Sequence, residues 1–155
     1  MPHQLTESVK ILQKCAIWSG DRVLLLKRAD DAHSRPGQWD LPGGNAEWPA
    51  AHKDLKNPHI KDIQREIQEE TGFEVSLDEA EQPIFVASYF AAEDTVYSII
   101  LGWKYNLIDT DQPAPQVSSE HSDFAWISIE ELDQYDFGFA GGETGFISKI
   151  IRYSR

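Results

Sequence analysis

Cysteine is almost missing from this chain of 155 residues: Cys15 stands alone. No intrachain disulfide can form, and its place in an apolar run marks a buried thiol rather than a reactive one. That usage fits a reducing, cytoplasmic compartment. Basic residues are also scarce. Fourteen Lys and Arg face 26 Asp and Glu, for a formal net charge of −12 and an isoelectric point near 4.7. Polymeric nucleic acid is usually bound through a basic patch, so this balance excludes binding by bulk attraction. A small anionic ligand would have to arrive with metal ions or be received by them. No apolar stretch is long enough to cross a bilayer, no charged-then-apolar leader opens the chain, and no repeat interrupts it. The protein is expected to be unprocessed, with neither a membrane nor a nucleic-acid polymer as partner. His33, His52 and His59 lie in polar segments without zinc-ligand spacing. No Ser-His-Asp or Cys-His grouping points to a covalent nucleophile.

What is present suffices for the core of one domain over residues 1–155, since 41% of the residues are hydrophobic and 11% aromatic. Residues 9–18 and 23–27 have the apolar, β-branched content of strands, joined through Ser19-Gly20-Asp21 as a short hairpin turn. A loop over 30–38 leads into Trp39-Asp40-Leu41. Residues 73–76, 84–90 and 96–107 read as further strands, with Glu93-Asp94 as a turn, and the Pro, Gln and Ser content of 109–119 reads as a loop. A short strand at 125–127 precedes Ser128, whose spacing to Glu131 is that of a capping box, and Thr144 can open a closing helix through Arg152. Strands and helices mix without strict alternation. The fold class is therefore expected to be α+β or an α/β/α sandwich rather than a doubly wound sheet.

The chemistry concentrates in Arg65-Glu66-Ile67-Gln68-Glu69-Glu70-Thr71-Gly72-Phe73, downstream of Leu41-Pro42-Gly43-Gly44. At about 100° per residue, Glu69 and Glu70 fall roughly −60° and +40° from Glu66, so the three carboxylates share one helix face. Asp62, one turn earlier, extends that strip, while Ile60, Ile63 and Ile67 form an apolar stripe beside it. Like charges at Glu66 and Glu70 conflict locally and call for a compensating partner. A divalent cation would be one, because carboxylate oxygens are the ligands that Mg²⁺ and Mn²⁺ prefer and Mg²⁺ leaves positions open for water and substrate phosphate. The same acids could equally form a solvated helix face. Arg65 is one turn from Glu69 and can orient it. Gly72 suits the left-handed position that ends a helix, and Gly43 and Gly44 let a backbone come close to a phosphate or to the acidic helix.

This ordered string resembles the signature of Nudix hydrolases, G-x5-E-x7-R-E-U-x-E-E-x-G-U with U apolar, and its second half is complete. The first half departs from it. Arg65 follows Gly44 by 21 positions instead of fourteen, so the loop carries seven extra residues within 48–58, and the expected glutamate is replaced by Asn57. Glu47 or Asp54 could supply its supporting role. Asn57-Pro58 reads as an N-cap followed by proline at the first helical position.

Further resemblances touch the rest of the site. Glu120, six positions before Trp126, matches the acidic loop residue that completes the family's metal site or serves as general base. Its neighbour His121 is a rival base, or an exposed histidine. Arg28, in a segment similar to that through which MutT-type members reach their nucleotide, is a candidate phosphate or base contact. Trp39, Trp48, Phe137 and Phe139 could stack on a base or belong to the core, and the segment 141–144 lies where related proteins contact the base.

The resemblance implies a Mg²⁺-dependent pyrophosphohydrolase (Mn²⁺ possible) acting on a nucleoside diphosphate linked to another group. The first substrate expected is a nucleoside triphosphate, oxidised forms included, cleaved to the monophosphate. Sugar nucleotides or ADP-ribose, or a nucleotide-binding module without turnover, are the alternatives. Glu66, Glu69, Glu70 and Glu120 would hold metal, Arg65 would support catalysis, and Arg28, Gly43, Gly44 and Trp39 would contact substrate. A homodimer is possible.

Overall fold

A computed structural model describes residues 8–47, 56–78, 81–91 and 95–155 of the chain. The elements run β1 (Val9–Ser19), β2 (Arg22–Arg28), β3 (Trp39–Asp40), β4 (Gly43–Asn45), α1 (His59–Thr71), β5 (Phe85–Ala91), β6 (Val96–Asn106), β7 (His121–Ile127) and α2 (Phe146–Tyr153), with short 3-10 segments at Ile129–Gln134 and Gly138–Ala140.

Among the described residues, all seven strands belong to one mixed sheet. β1 pairs in parallel with β6 from Val9↔Tyr97 to Trp18↔Asn106, and β5 adds antiparallel to β6. On its other edge β1 meets β2 only at Trp18↔Val23 and Ser19↔Arg22, beside the hairpin turn. Beyond that the two strands part, and residues 39–45 fill the gap. β3 pairs with the end of β2, and β4 pairs with the first half of β1. Between them the Cys15 N–H donates to the Pro42 carbonyl at 2.9 Å. β7 covers the free edge of β2.

Alternation along the strands supplies the two faces that a sandwich needs. Cys15, Ile17, Leu24, Leu26 and Trp103 pack on Ile60, Ile63 and Ile67 of α1. Ala16, Trp18, Val23, Leu25 and Ile100 pack on Phe146, Ile147, Ile150 and Ile151 of α2. The apolar stripe expected on α1 is buried to within 1%, and Gly72 ends the helix at φ +74°. The α/β/α sandwich is thus the observed architecture, and Cys15 is a core residue whose thiol is pushed up by burial.

Several local expectations need correction. Residues 73–76 form no strand: the chain runs extended over α1, burying Val75 and Leu77, and the Leu77 N–H donates to Gln64 Oε1 instead of to a neighbouring strand. Gly43-Gly44 is strand rather than loop. The N-cap of α1 is Pro58, since Asn57 is left-handed at φ +54° and so cannot hold the extended backbone of a cap. The closing helix starts at Phe146 behind an extended Gly145, two residues later than Thr144. The capping box forms, with the Ser128 N–H donating to Glu131 Oε2 at 2.7 Å, but it opens a 3-10 segment. The turn expected at Glu93-Asp94, and Trp48 and Asp54, lie outside the described residues.

Candidate active site

The wedge between β1 and β2 brings the acidic helix to the sheet. Gly43 lies at φ +146°, and a Cβ there would meet the Gln13 carbonyl oxygen at 2.0 Å; only glycine lets β4 lie so close to β1. Its N–H donates to Glu70 Oε2 at 2.8 Å. At Gly44 a Cβ would stand 2.8 Å from the carboxyl carbon of Glu66. The two glycines therefore make room for two of the carboxylates that the helix presents.

Glu66, Glu70 and Glu120 line one cavity of about 730 Å³. Glu70 is 5% exposed, and burial raises its pKa to about 8 against the pull of Lys14 and the Gly43 N–H, with Glu66 and Asp40 adding to the rise. Burial also raises Glu66; Arg65 opposes this, and the charges of Glu69 and Glu120 reinforce it. Glu69 is turned away from the cavity. Arg65 Nη1 donates to both of its oxygens, at 3.1 and 3.0 Å, while Nη2 donates to Glu66 Oε1 at 3.1 Å. Glu47 Oε1 lies 3.6 Å from the same guanidinium, so this stand-in for the absent glutamate is placed against Arg65. Asp62 leaves the acidic strip: it is buried, and its carboxylate accepts the Glu47 N–H at 3.2 Å.

Among the described residues no three His, Cys, Asp or Glu side chains are grouped as a finished metal cage. The donor set nevertheless fits a hard divalent cation. Glu66 and Glu70 are partly desolvated carboxylates; the Glu66 charge raises the pKa of Glu70, and the charges of Glu69 and Glu120 raise that of Glu66. A cation is what such a group lacks.

The same cavity has a cationic lining as well, of which sequence reasoning found only Arg28. Asp40, 0% exposed, receives three positive side chains on its Oδ2: Lys14 at 2.9 Å, Arg28 at 3.2 Å and Arg35 at 2.7 Å. Its Oδ1 accepts the Leu41 N–H at 2.8 Å. Burial alone would raise the Asp40 carboxyl, but Lys14, Arg35 and Arg28 hold it below the ordinary carboxylate range. All three cations line the cavity. Lys14, charged at an otherwise apolar stretch of β1, was the one signal in the sequence that could have exposed this cluster. His121 is buried at 8% exposure rather than exposed, opposite Arg28 across the β2–β7 pair. Burial, with Lys14 and Arg28 nearby, lowers it to about 4 despite the Asp40 charge.

Tyr89, Phe139 and Phe146 add aromatic rings to the cavity lining. Phe139 is 67% exposed, with the Arg35 guanidinium 5.5 Å from its ring centroid. The other candidate stacking residues sit elsewhere: Phe137 is core, and Trp39 packs edge-on against Tyr135 at 5.1 Å and does not reach the cavity lining.

A mixed sheet between two helices, with a glycine strand seating an E-x-x-E-E helix, defines a phosphoanhydride hydrolase of one known class. The NUDIX domain model matches residues 14–144, and the chain belongs to the Nudix family, whose members hydrolyse phosphoric anhydride bonds and generally use divalent metal ions such as Mg²⁺. It is 30% identical over 138 residues to the nucleoside triphosphatase NudI of Escherichia fergusonii, an alignment covering 84% of this chain and 90% of that one. Among solved structures, the MutT NUDIX hydrolase from Burkholderia pseudomallei superposes with TM-score 0.67 at 19% identity, covering 96% of this chain and all of that one. The NUDIX domain of Shewanella oneidensis NrtR, solved with ADP ribose, gives 0.66 at 16% identity over 98% of this chain and 88% of that one. These two likenesses concern the fold.

Proposed function

We propose that this protein is a divalent-metal-dependent pyrophosphohydrolase that cleaves nucleoside triphosphates to the monophosphate and diphosphate. The observation that carries this reading is that one cavity is lined by the carboxylates Glu66, Glu70 and Glu120, by the cations Lys14, Arg28 and Arg35, and by the rings of Tyr89, Phe139 and Phe146. A phosphate chain bound with metal matches this mixture of acids and cations. The resemblance to nucleoside triphosphatase NudI supports the choice of substrate.

Glu66, Glu70 and Glu120 would hold the metal, joined by Glu69 once it turns from Arg65 into the cavity; when bound, the metal would draw charge off the diphosphate and lower the pKa of a coordinated water. The protein's own groups do the rest. Water adds to one phosphorus as the bridging oxygen leaves with the neighbouring phosphate. Glu120, exposed at the mouth of the cavity, takes the proton. Arg28 steadies the phosphate chain, and the neutral imidazole of His121 is too weakly basic to be the principal base.

The test is release of monophosphate and diphosphate from a panel of nucleoside triphosphates, with and without Mg²⁺ or Mn²⁺, for the wild type and Glu66→Gln, Glu69→Gln and Glu120→Gln. Metal-dependent release that falls by roughly 10²-fold or more in the Glu66 and Glu69 variants supports the reading, a loss of the size expected when charge stabilisation is removed. Binding of nucleotide with no turnover under any metal or pH would sink it.

A further inference from the structure

One carboxylate needs one partner. Asp40 has three, and the cations that carry the surplus of two positive charges line the cavity of a protein of net charge −12. We propose that Asp40 is a positioning residue that gathers Lys14, Arg28 and Arg35 into a seat for the free terminal phosphate of the substrate, and that this seat selects substrates ending in an uncapped phosphate group over diphosphates capped at both ends. The proposal rests on the triphosphate reading above.

Asp40 itself cannot touch substrate, because it is fully buried and both oxygens are engaged. What it controls is where three cations point. Lys14, 4% exposed, is held by Asp40 and by the Leu41 carbonyl at 3.4 Å. Arg28 donates through Nε to the Ser34 carbonyl at 2.6 Å and through Nη1 to Asp40, which leaves Nη2 for a ligand. Arg35 donates through Nη2 to Asp40 and through Nη1 to the Phe137 carbonyl at 3.5 Å, which leaves Nε. Two guanidinium planes anchored at one end in this way are preorganised donors for phosphate oxygens. Beside them His121 keeps a buried Nδ1 with no hydrogen-bond partner.

The selectivity follows from charge and oxygen count. A terminal phosphate offers three free oxygens and close to two negative charges at neutral pH. Each phosphorus of a doubly capped diphosphate offers two free oxygens and one charge. The surplus charge of the seat matches the first and is left partly uncompensated by the second.

The experiment compares kcat and KM for a nucleoside triphosphate and for ADP-ribose, with saturating Mg²⁺, in the wild type, Arg35→Ala, Arg35→Lys and Asp40→Asn. Isothermal titration with inorganic pyrophosphate on the same proteins accompanies it. The wild type should favour the triphosphate. Arg35→Ala should raise KM for the triphosphate roughly tenfold or more, the loss of one charge-assisted contact, and change ADP-ribose by less than about threefold. Arg35→Lys should recover part of the loss. Asp40→Asn, which keeps an acceptor for Leu41, should erode the preference in the same direction; if it does not fold, Arg35→Ala carries the test alone. Equal loss on both substrates, or a wild type that favours ADP-ribose, overturns the seat while leaving the hydrolase intact. If no nucleotide is turned over, the function proposed above fails. Pyrophosphate affinity then decides the seat: a drop of about tenfold in Arg35→Ala upholds an anion site, and an unchanged affinity refutes it.

Discussion

The Gly43 N–H donates to Glu70 Oε2 at 2.8 Å, and through this bond a strand wedged into the sheet fixes the acidic helix. Glycine is required there twice over, for different reasons. At Gly43 the backbone has φ +146° and a Cβ would meet the Gln13 carbonyl oxygen at 2.0 Å, whereas at Gly44 the obstacle is a side chain, the Glu66 carboxyl at 2.8 Å. Gly43→Ala should therefore destabilise the fold by about 2–4 kcal/mol through backbone strain and displacement of β4. Gly44→Ala should leave the melting temperature within a few degrees but cut kcat, because Glu66 must move to admit the methyl. Thermal unfolding and turnover measured on both variants separate the two effects; similar losses of stability would contradict the distinction.

Glu70 makes the metal-free protein sensitive to pH in a direction opposite to most carboxylates. Its pKa in the folded chain is raised to about 8, so protonation favours the folded state. Its stability contribution is complete below the unfolded value near 4.5 and is lost as pH rises through about 8, a swing on the order of 4 kcal/mol. Denaturant unfolding in a chelator should find the wild type losing stability from pH 6 to 9 relative to Glu70→Gln. Adding Mg²⁺ should flatten that difference. Parallel curves for wild type and variant would show that Glu70 ionises freely.

The sandwich and the helix could be read from residue order because local rules decide them: Ile60, Ile63 and Ile67 recur at helical spacing, and Cys15/Ile17 against Ala16/Trp18 alternate as a strand buried on both faces. The cationic wall could not be read. Lys14, Arg28, Arg35 and Asp40 come from three segments that meet only because β1 and β2 part and admit β3 and β4 between them. Glu69 was legible as a member of the helix face, but its rotation toward Arg65 depends on a side-chain competition that spacing does not express. Residues 73–76 have strand composition, yet they pair with no strand, and Val75 is buried against α1 instead.

His121 lowered to about 4 gives a spectroscopic prediction. Its ring should remain neutral from pH 5.5 to 8, since burial and the adjoining Lys14 and Arg28 charges disfavour a further proton. Imidazole NMR signals followed across that range should stay fixed for His121. A midpoint above 6 for His121 would mean that the cations do not surround it as described.

Arg65 and Glu69 offer the cleanest separation of function from stability. Both are well exposed, at 36% and 56% of the side chain, and a pair so open to solvent contributes only about 0–1 kcal/mol to folding. Yet Arg65 also holds Glu66 at 3.1 Å and lies against Glu47, so it sets the directions of two carboxylates of the proposed metal site. Arg65→Gln should melt within about 2 °C of the wild type while kcat falls roughly tenfold to a hundredfold and the Mg²⁺ concentration for half-maximal rate rises. Arg65→Lys, which keeps the charge but not the forked donors, should recover only part of the rate because it cannot serve Glu66 and Glu69 together. A variant that keeps both turnover and metal dependence would reduce this guanidinium to surface charge; one that unfolds would place it in the core of the fold, where its exposure argues that it does not belong.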